Sequence, residues 1–139
     1  MRSFWKSVLL IFQVVLDNKS VIIGYSGHAY VVGDSYISKG NNIDYYTNLI
    51  EVTSNPFNLE YLGCETDLNF KGWEMELNFI LGIGDNNLRE KVAKLILSKS
   101  NILKNVIDPH AVISKSANIG NGVFVLLAMI FSCSKYLLN

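Results

Sequence analysis

Residues 21–28, Val-Ile-Ile-Gly-Tyr-Ser-Gly-His, constrain this chain more than any other stretch. Three β-favouring apolar residues run into a glycine turn. A histidine and a second apolar run, Ala29 to Val32, follow at once. An unbroken apolar run of this kind suits a strand buried on both faces, as in a parallel sheet covered by helices. A helix that starts directly after such a turn has first-turn N–H groups without internal partners. Those groups and the helix dipole favour a phosphate or another anion. The turn thus predicts an anionic ligand, although G-x-x-G by itself also serves simply for tight strand–helix packing.

Length and composition narrow the setting. The 139 residues make one domain, or one domain plus a fragment, and an apolar fraction of 50% suffices for a packed core. Twelve basic residues balance twelve acidic ones, with no basic stripe, which argues against a nucleic-acid partner. Cys64 and Cys133 have neither zinc-site nor disulfide-framework spacing, and no metal site is expected. A reducing, cytoplasmic location is the default. Arg2 and Lys6 precede apolar runs at Val8–Phe12 and Val14–Leu16. This segment is too short to span a bilayer, and no small-x-small cleavage site follows it. Residues 1–19 therefore read as an apolar extension, with a signal sequence or a mis-assigned start left open.

Further along, a helix is expected over His28–Lys39, weakened by Gly33 and ended by Gly40, and a short strand over Ile43–Thr47. Residues 48–75 read as irregular, with a turn at Asn55-Pro56. Leu77–Leu81 forms the next strand and Gly82-Ile83-Gly84-Asp85-Asn86 a second glycine turn. A helix over Asn87–Ser98 follows, with Leu88, Val92, Leu95 and Ile96 on one face and Asn86 or Asp85 as its cap. Asn105–Ile107 is expected to be a fourth strand. This order argues a small parallel α/β sheet, in which ligands sit beyond the carboxyl ends of the strands. Asp44 stands twenty residues after Gly24, the spacing of a ribose-binding acid in a dinucleotide fold, but it runs into Tyr45 and Tyr46.

The periodicity then changes. Ile107, Ile113, Ile119, Val125 and Phe131 recur every six residues, with Ala111, Ala117 and Val123 two before the middle three. Period six suits a parallel β-helix that stacks one aliphatic per side inward.

Three motifs now stand in order: Ile-Gly-Tyr-Ser-Gly-His-Ala-Tyr-Val-Val, then Gly-Ile-Gly-Asp-Asn-Asn-Leu-Arg, then Ile-Asp-Pro-His-Ala-Val-Ile-Ser-Lys-Ser-Ala-Asn-Ile-Gly-Asn-Gly-Val. Over about residues 20–125 the chain resembles the PglD/NeuD-type sugar O- and N-acyltransferases of the hexapeptide-repeat superfamily. The resemblance implies a Rossmann-like parallel sheet with flanking helices over 20–107, followed by an incomplete left-handed parallel β-helix over 108–139. It implies a UDP-sugar or other small sugar substrate, acetyl-CoA as co-substrate, and a homotrimer. It places Gly24, Ser26, Gly27 and His28 along the sugar-nucleotide phosphates, and Gly84 and Asp85 on the same pocket. The family's acidic pair after strand two falls near Thr47 and Asn48, neither of which is acidic. The family's catalytic histidine lies several coils into the β-helix, so no catalytic residue and no acetyl-CoA site is expected in this chain. His110 matches the start of the β-helix instead. The expected function is the substrate-holding half of a sugar acetyltransferase, inactive or weakly active alone. The alternative is a stand-alone module for nucleotide-sugar or other anionic ligands. A nicotinamide-enzyme fragment is a third reading, and neither alternative needs the six-residue ladder.

Overall fold

The computed structural model describes residues 2–16, 18–99 and 101–126. Helix α1 (Arg2–Leu16) leads into strand β1 (Ser20–Ile23), helix α2 (Gly27–Ser38), β2 (Tyr45–Thr47), β3 (Glu60–Tyr61), a single 3₁₀ turn at Lys71–Trp73, β4 (Asn78–Leu81), helix α3 (Asn86–Ser98) and β5 (Ile102–Leu103). Strands β6 (Val106–Ile107) and β7 (Phe124–Val125) follow. β1 to β5 form one sheet of order β3-β2-β1-β4-β5 with every pairing parallel. The expected small parallel α/β sheet with flanking helices is therefore present.

β1 lies at the centre, with Ile23 paired to Thr47 on one side and to Leu81 on the other. Its residues alternate between two cores, as successive strand side chains must. Val21 and Ile23 join Phe79, Leu81, Val92 and Ile96 on the α3 face. Ile22 joins Ile80, Tyr46, Ala29, Val32 and Tyr36 on the α2 face. Covering both faces explains why β1 reads as unbroken apolar sequence rather than as an alternation. Gly33, an apparent weakness of α2, makes room for a neighbour: a Cβ there would stand 2.7 Å from Phe57 Cε2. Tyr25, Tyr36, Tyr45 and Tyr46 are buried core residues and Trp73 packs against the core, with Tyr25 stacked on Tyr46 at 4.4 Å and Trp73 on Phe79 at 5.5 Å.

Residues 48–75 are more ordered than their sequence suggests. Asn55 closes its own turn, taking Leu59 N–H on Oδ1 and donating Nδ2 to the Leu59 carbonyl. The Tyr25 hydroxyl then ties that turn to the first glycine turn by donating to Asn55 Oδ1 and accepting from Phe57 N–H. This arrangement delivers Glu60 and Tyr61 to the sheet edge as β3. Two residues are too few to show alternation, so the strand leaves no periodic trace in the sequence.

The strand expected at Asn105–Ile107 is not the last strand of the sheet. That place belongs to Ile102–Leu103, paired with Asn78 and Phe79. Val106 and Ile107 pair instead with Phe124 and Val125, in parallel. The physical reason lies at Asn105, whose side chain donates to the Gly120 carbonyl and accepts from Val123 N–H, which ties the chain to the later segment. The offset is 124 − 106 = 18 residues, or three six-residue sides, so one circuit of the ladder closes on itself. Ile107, Ile113 and Ile119 are half-buried, Val125 is buried, and Val112 between them is exposed. The ladder position Phe131, and Cys133, lie outside the described residues.

On α1, Phe4, Trp5, Leu9 and Leu10 are all exposed. Among the described residues no helix is long and apolar enough to cross a membrane.

Candidate functional site

The two glycine turns leave the carboxyl ends of β1 and β4, which are adjacent strands, and they touch. Gly24 has φ +77°, a conformation that favours glycine, and its N–H donates to the Thr47 carbonyl at 3.1 Å. Gly82 N–H donates to the Ile23 carbonyl at 2.8 Å. A Cβ on Gly82 would stand 2.7 Å from both the Gly24 carbonyl oxygen and Ala29 Cβ, so only glycine lets the turns meet. The two motifs are thus neighbours on one rim, as the sequence order implies for such sheets.

The rim is open over the first turn. Ser26 is the N-cap of α2 with extended backbone, and its side chain makes no capping hydrogen bond. Its carbonyl accepts Tyr30 N–H at 3.0 Å, which starts the helix. A Cβ placed on Gly27 would meet nothing within 4 Å. Ser26 and Gly27 are exposed, and the Ser26 side chain accepts from none of the N–H groups of the first helical turn. Such a terminus carries roughly half a positive charge and favours an anion.

His28 lies half-buried at the edge of this rim. Burial first, and then the nearby Arg89 charge, hold its pKa below the ordinary 6.5. Its ring meets Phe124 of β7 edge-on at 5.9 Å, and a Cβ on Gly84 would stand 3.4 Å from His28 Cβ. His28 thus stands between both turns and the six-residue circuit.

The second turn satisfies itself. Asp85 caps α3 by accepting Leu88 N–H at 2.8 Å. Arg89 folds back so that Nη1 donates to the Ile83 carbonyl at 3.0 Å and the Gly84 carbonyl at 3.3 Å, while Nη2 reaches Asn86 Oδ1. The Asp85 carboxylate is engaged in its own helix, yet Asp85 and Gly84 are both exposed on the rim.

Asp44 does not reach this place. It precedes β2 and accepts Ser20 N–H on Oδ2 at 2.9 Å, which puts it at the amino end of the strands, opposite the turns. Its sequence spacing is therefore coincidental. A carboxylate that the sequence did not suggest stands at the tip instead: Glu65 Oε2 accepts the hydroxyl proton of the fully buried Thr47 at 2.8 Å. Nothing local marks Glu65, because the contact spans eighteen positions and depends on the two-residue strand β3. His110 is a turn residue. Its N–H donates to Asp108 Oδ1, which helps hold that carboxylate's pKa low, and Asp108 Oδ2 accepts from Ser35 on α2. Among the described residues no group of His, Cys, Asp and Glu is placed to hold a metal ion.

Residues 19–96 match the family described as the PglD N-terminal domain. This chain belongs to that family. Residues 19–96 form that N-terminal domain, with the Rossmann-like parallel sheet that the sequence motifs suggested. A mutant of perosamine N-acetyltransferase from Caulobacter crescentus, solved with CoA and GDP-perosamine, superposes with a TM-score of 0.74 at 27% identity, over 85% of this chain and 56% of that one. PerB from the same organism, also with CoA and GDP-perosamine, gives 0.71 at 28% identity, again over 85% and 56%. The acetyltransferase domain of PglB from Neisseria gonorrhoeae, in complex with acetyl coenzyme A, shares the fold with a TM-score of 0.70 at 24% identity, over 81% and 55%. The chain thus spans about half the length of the structures it matches. A search of curated proteins finds no match.

Proposed function

We propose that residues 20–107 hold a nucleotide-linked sugar by its diphosphate, presenting the sugar for acetyl transfer from acetyl-CoA. The observation that carries this reading is the uncapped start of α2, open above Ser26 and Gly27. Gly24 lets the chain turn under the diphosphate. The Ser26 hydroxyl and the first-turn N–H groups donate to it. His28 contacts the phosphate or the sugar next to it, and Gly84 and Asp85 form the opposite wall. Each exposed contact between the helix end and a charge contributes about 0.3–1 kcal/mol, so several must act together to hold a ligand.

The similarity to enzymes solved with CoA and GDP-perosamine supports this substrate class. The 18-residue circuit of parallel strands supports residues 108–139 as the start of a left-handed β-helix, and it favours the acetyltransferase reading over a stand-alone binding module. In this reading residues 1–19 are an extension outside both parts. Acetyl-CoA and the general base belong to later coils of the whole trimeric, cytoplasmic enzyme, and this chain alone turns over little or no acetyl-CoA.

Calorimetric titration with UDP- and GDP-sugars tests the proposal. Binding should be measurable for the native chain and lost on Gly27→Val combined with His28→Ala. Identical heats from the native and doubly substituted chains would sink it, as would vigorous acetyl-CoA-dependent thiol release by this chain.

A further inference from the structure

The tip of β2 is where an open sheet of this order receives the ribose of a bound nucleotide, and an acidic side chain there usually takes the ribose hydroxyls. In this chain β2 ends at Thr47, with Asn48 next, and Asp44 sits at the wrong end of the strand. The carboxylate of Glu65 occupies the vacant position from a different segment. Thr47 pairs with Ile23, the residue directly before Gly24, and strands in a sheet are about 4.8 Å apart. Glu65 therefore stands one strand over from the anion-binding turn, on the same carboxyl-end rim.

The segment around Glu65 is held in place. Leu62 N–H donates to the Tyr46 carbonyl and Asn48 N–H to the Gly63 carbonyl, which carries the β3 pairing up to the tip of β2. Gly63, at φ +108°, turns the chain back over that tip. Cys64 is buried beneath it, and Asp67 N–H donates to the Cys64 carbonyl to close the turn. Glu65 Oε2 is fixed by Thr47, while among the described residues Oε1 accepts no hydrogen bond and the side chain is only half-buried. A half-buried carboxylate with one oxygen anchored and the other without a hydrogen bond is preorganised for a second donor.

We propose that Glu65 is the ribose-recognising residue of this site, accepting a hydrogen bond from the 2′-hydroxyl of the nucleotide. The inference rests on the nucleotide-sugar reading above. It makes Glu65 a specificity residue: it selects ribose, whatever the base and the sugar.

The test compares UDP and GDP with their 2′-deoxy counterparts by calorimetry on the full chain. The native protein should prefer the ribonucleotides by about tenfold, the scale of one hydrogen bond to a charged group. Glu65→Gln keeps an oxygen for the Thr47 hydroxyl and exchanges a charged acceptor for a neutral one, so it should fold and melt within about 5 °C of native. It should bind the ribonucleotides about tenfold more weakly and lose the preference, with 2′-deoxy binding unchanged. If Glu65→Gln fails to fold, Glu65→Asp retains the charge while withdrawing the carboxylate, and it should lose the preference in the same way. A ribose preference retained in the folded variant, or absent in the native chain, overturns the role of Glu65 alone. Binding of no nucleotide at all by the native chain overturns the nucleotide-sugar reading with it.

Discussion

The two glycine turns share a position in the sheet but differ in how their helices begin. Each follows a buried strand, each packs against the other, and each leads directly into a helix. α3 opens on Asp85, which supplies its own carboxylate to the Leu88 N–H. α2 opens on Ser26, whose side chain supplies nothing. A helix start that carries its own acceptor is stable without a ligand. One that lacks an acceptor is less stable alone and has capacity left for an anion from outside. The difference teaches that a glycine turn identifies the crevice, while the residue at the cap decides which helix start keeps capacity for an anion.

The largest effect expected from breaking this comparison is at the glycines. A methyl group on Gly82 must displace the Gly24 carbonyl and Ala29, both at 2.7 Å. Gly82→Ala should therefore cost about 3 kcal/mol by overpacking, seen as a fall of about 10 °C in melting temperature. Gly27→Ala adds its methyl group to open space and should change stability by less than about 0.5 kcal/mol. Equal destabilisation by the two substitutions would show that the turns are not built as described.

The caps give the next effect. Asp85→Ala removes a side-chain acceptor and should cost about 1 kcal/mol in denaturant melts. Ser26→Ala removes no capping bond, so stability should barely move while nucleotide-sugar affinity drops. If Ser26→Ala destabilised as much as Asp85→Ala, the open rim would be a capped helix after all.

What the sequence disclosed follows the same physical line. The central strands and α3 were legible because burial on both faces gives continuous apolar runs, and a helix with one buried face gives a 3.6-residue period. The six-residue ladder was legible because a repeat announces itself, and the 18-residue pairing of Val106 with Phe124 matches three of its periods. β3 and the true last strand were not legible. Each has only two residues in the sheet, too few to form a pattern, and their place depends on Tyr25, Asn55 and Asn105 side chains bonding across the chain. Within the candidate site, Gly24, Ser26, Gly27, His28, Gly84 and Asp85 gather on one rim because local motifs fix strand ends. Glu65 went unseen because its partner, Thr47, is supplied by tertiary pairing. Asp44 has the spacing of a ribose-binding acid yet lies at the amino end of the strands, because spacing along the chain does not say at which end of a strand a residue lies.

The smallest effect concerns the proton on His28, which stands between the two turns. Its pKa in the folded chain lies below the unfolded value near 6.5, through burial and then through Arg89. Between those two values the unfolded chain binds more protons than the folded one. Stability therefore rises with pH across that window and declines as pH falls below about 6.5. A diphosphate held against His28 reverses the balance, because a neighbouring anion favours the imidazolium and raises the pKa. The diphosphate of a nucleotide sugar is esterified at both ends and has no group of its own titrating near neutrality, so proton uptake on binding would report the protein. Calorimetry at pH 6.5 in two buffers of different ionisation enthalpy should then show uptake of a fraction of a proton, and affinity should strengthen from pH 8 to pH 6. His28→Gln should remove both effects and leave a residual affinity carried by the first-turn N–H groups. Native binding with no proton uptake would separate His28 from the anion and leave the open helix start of α2 to hold the ligand with Ser26 alone.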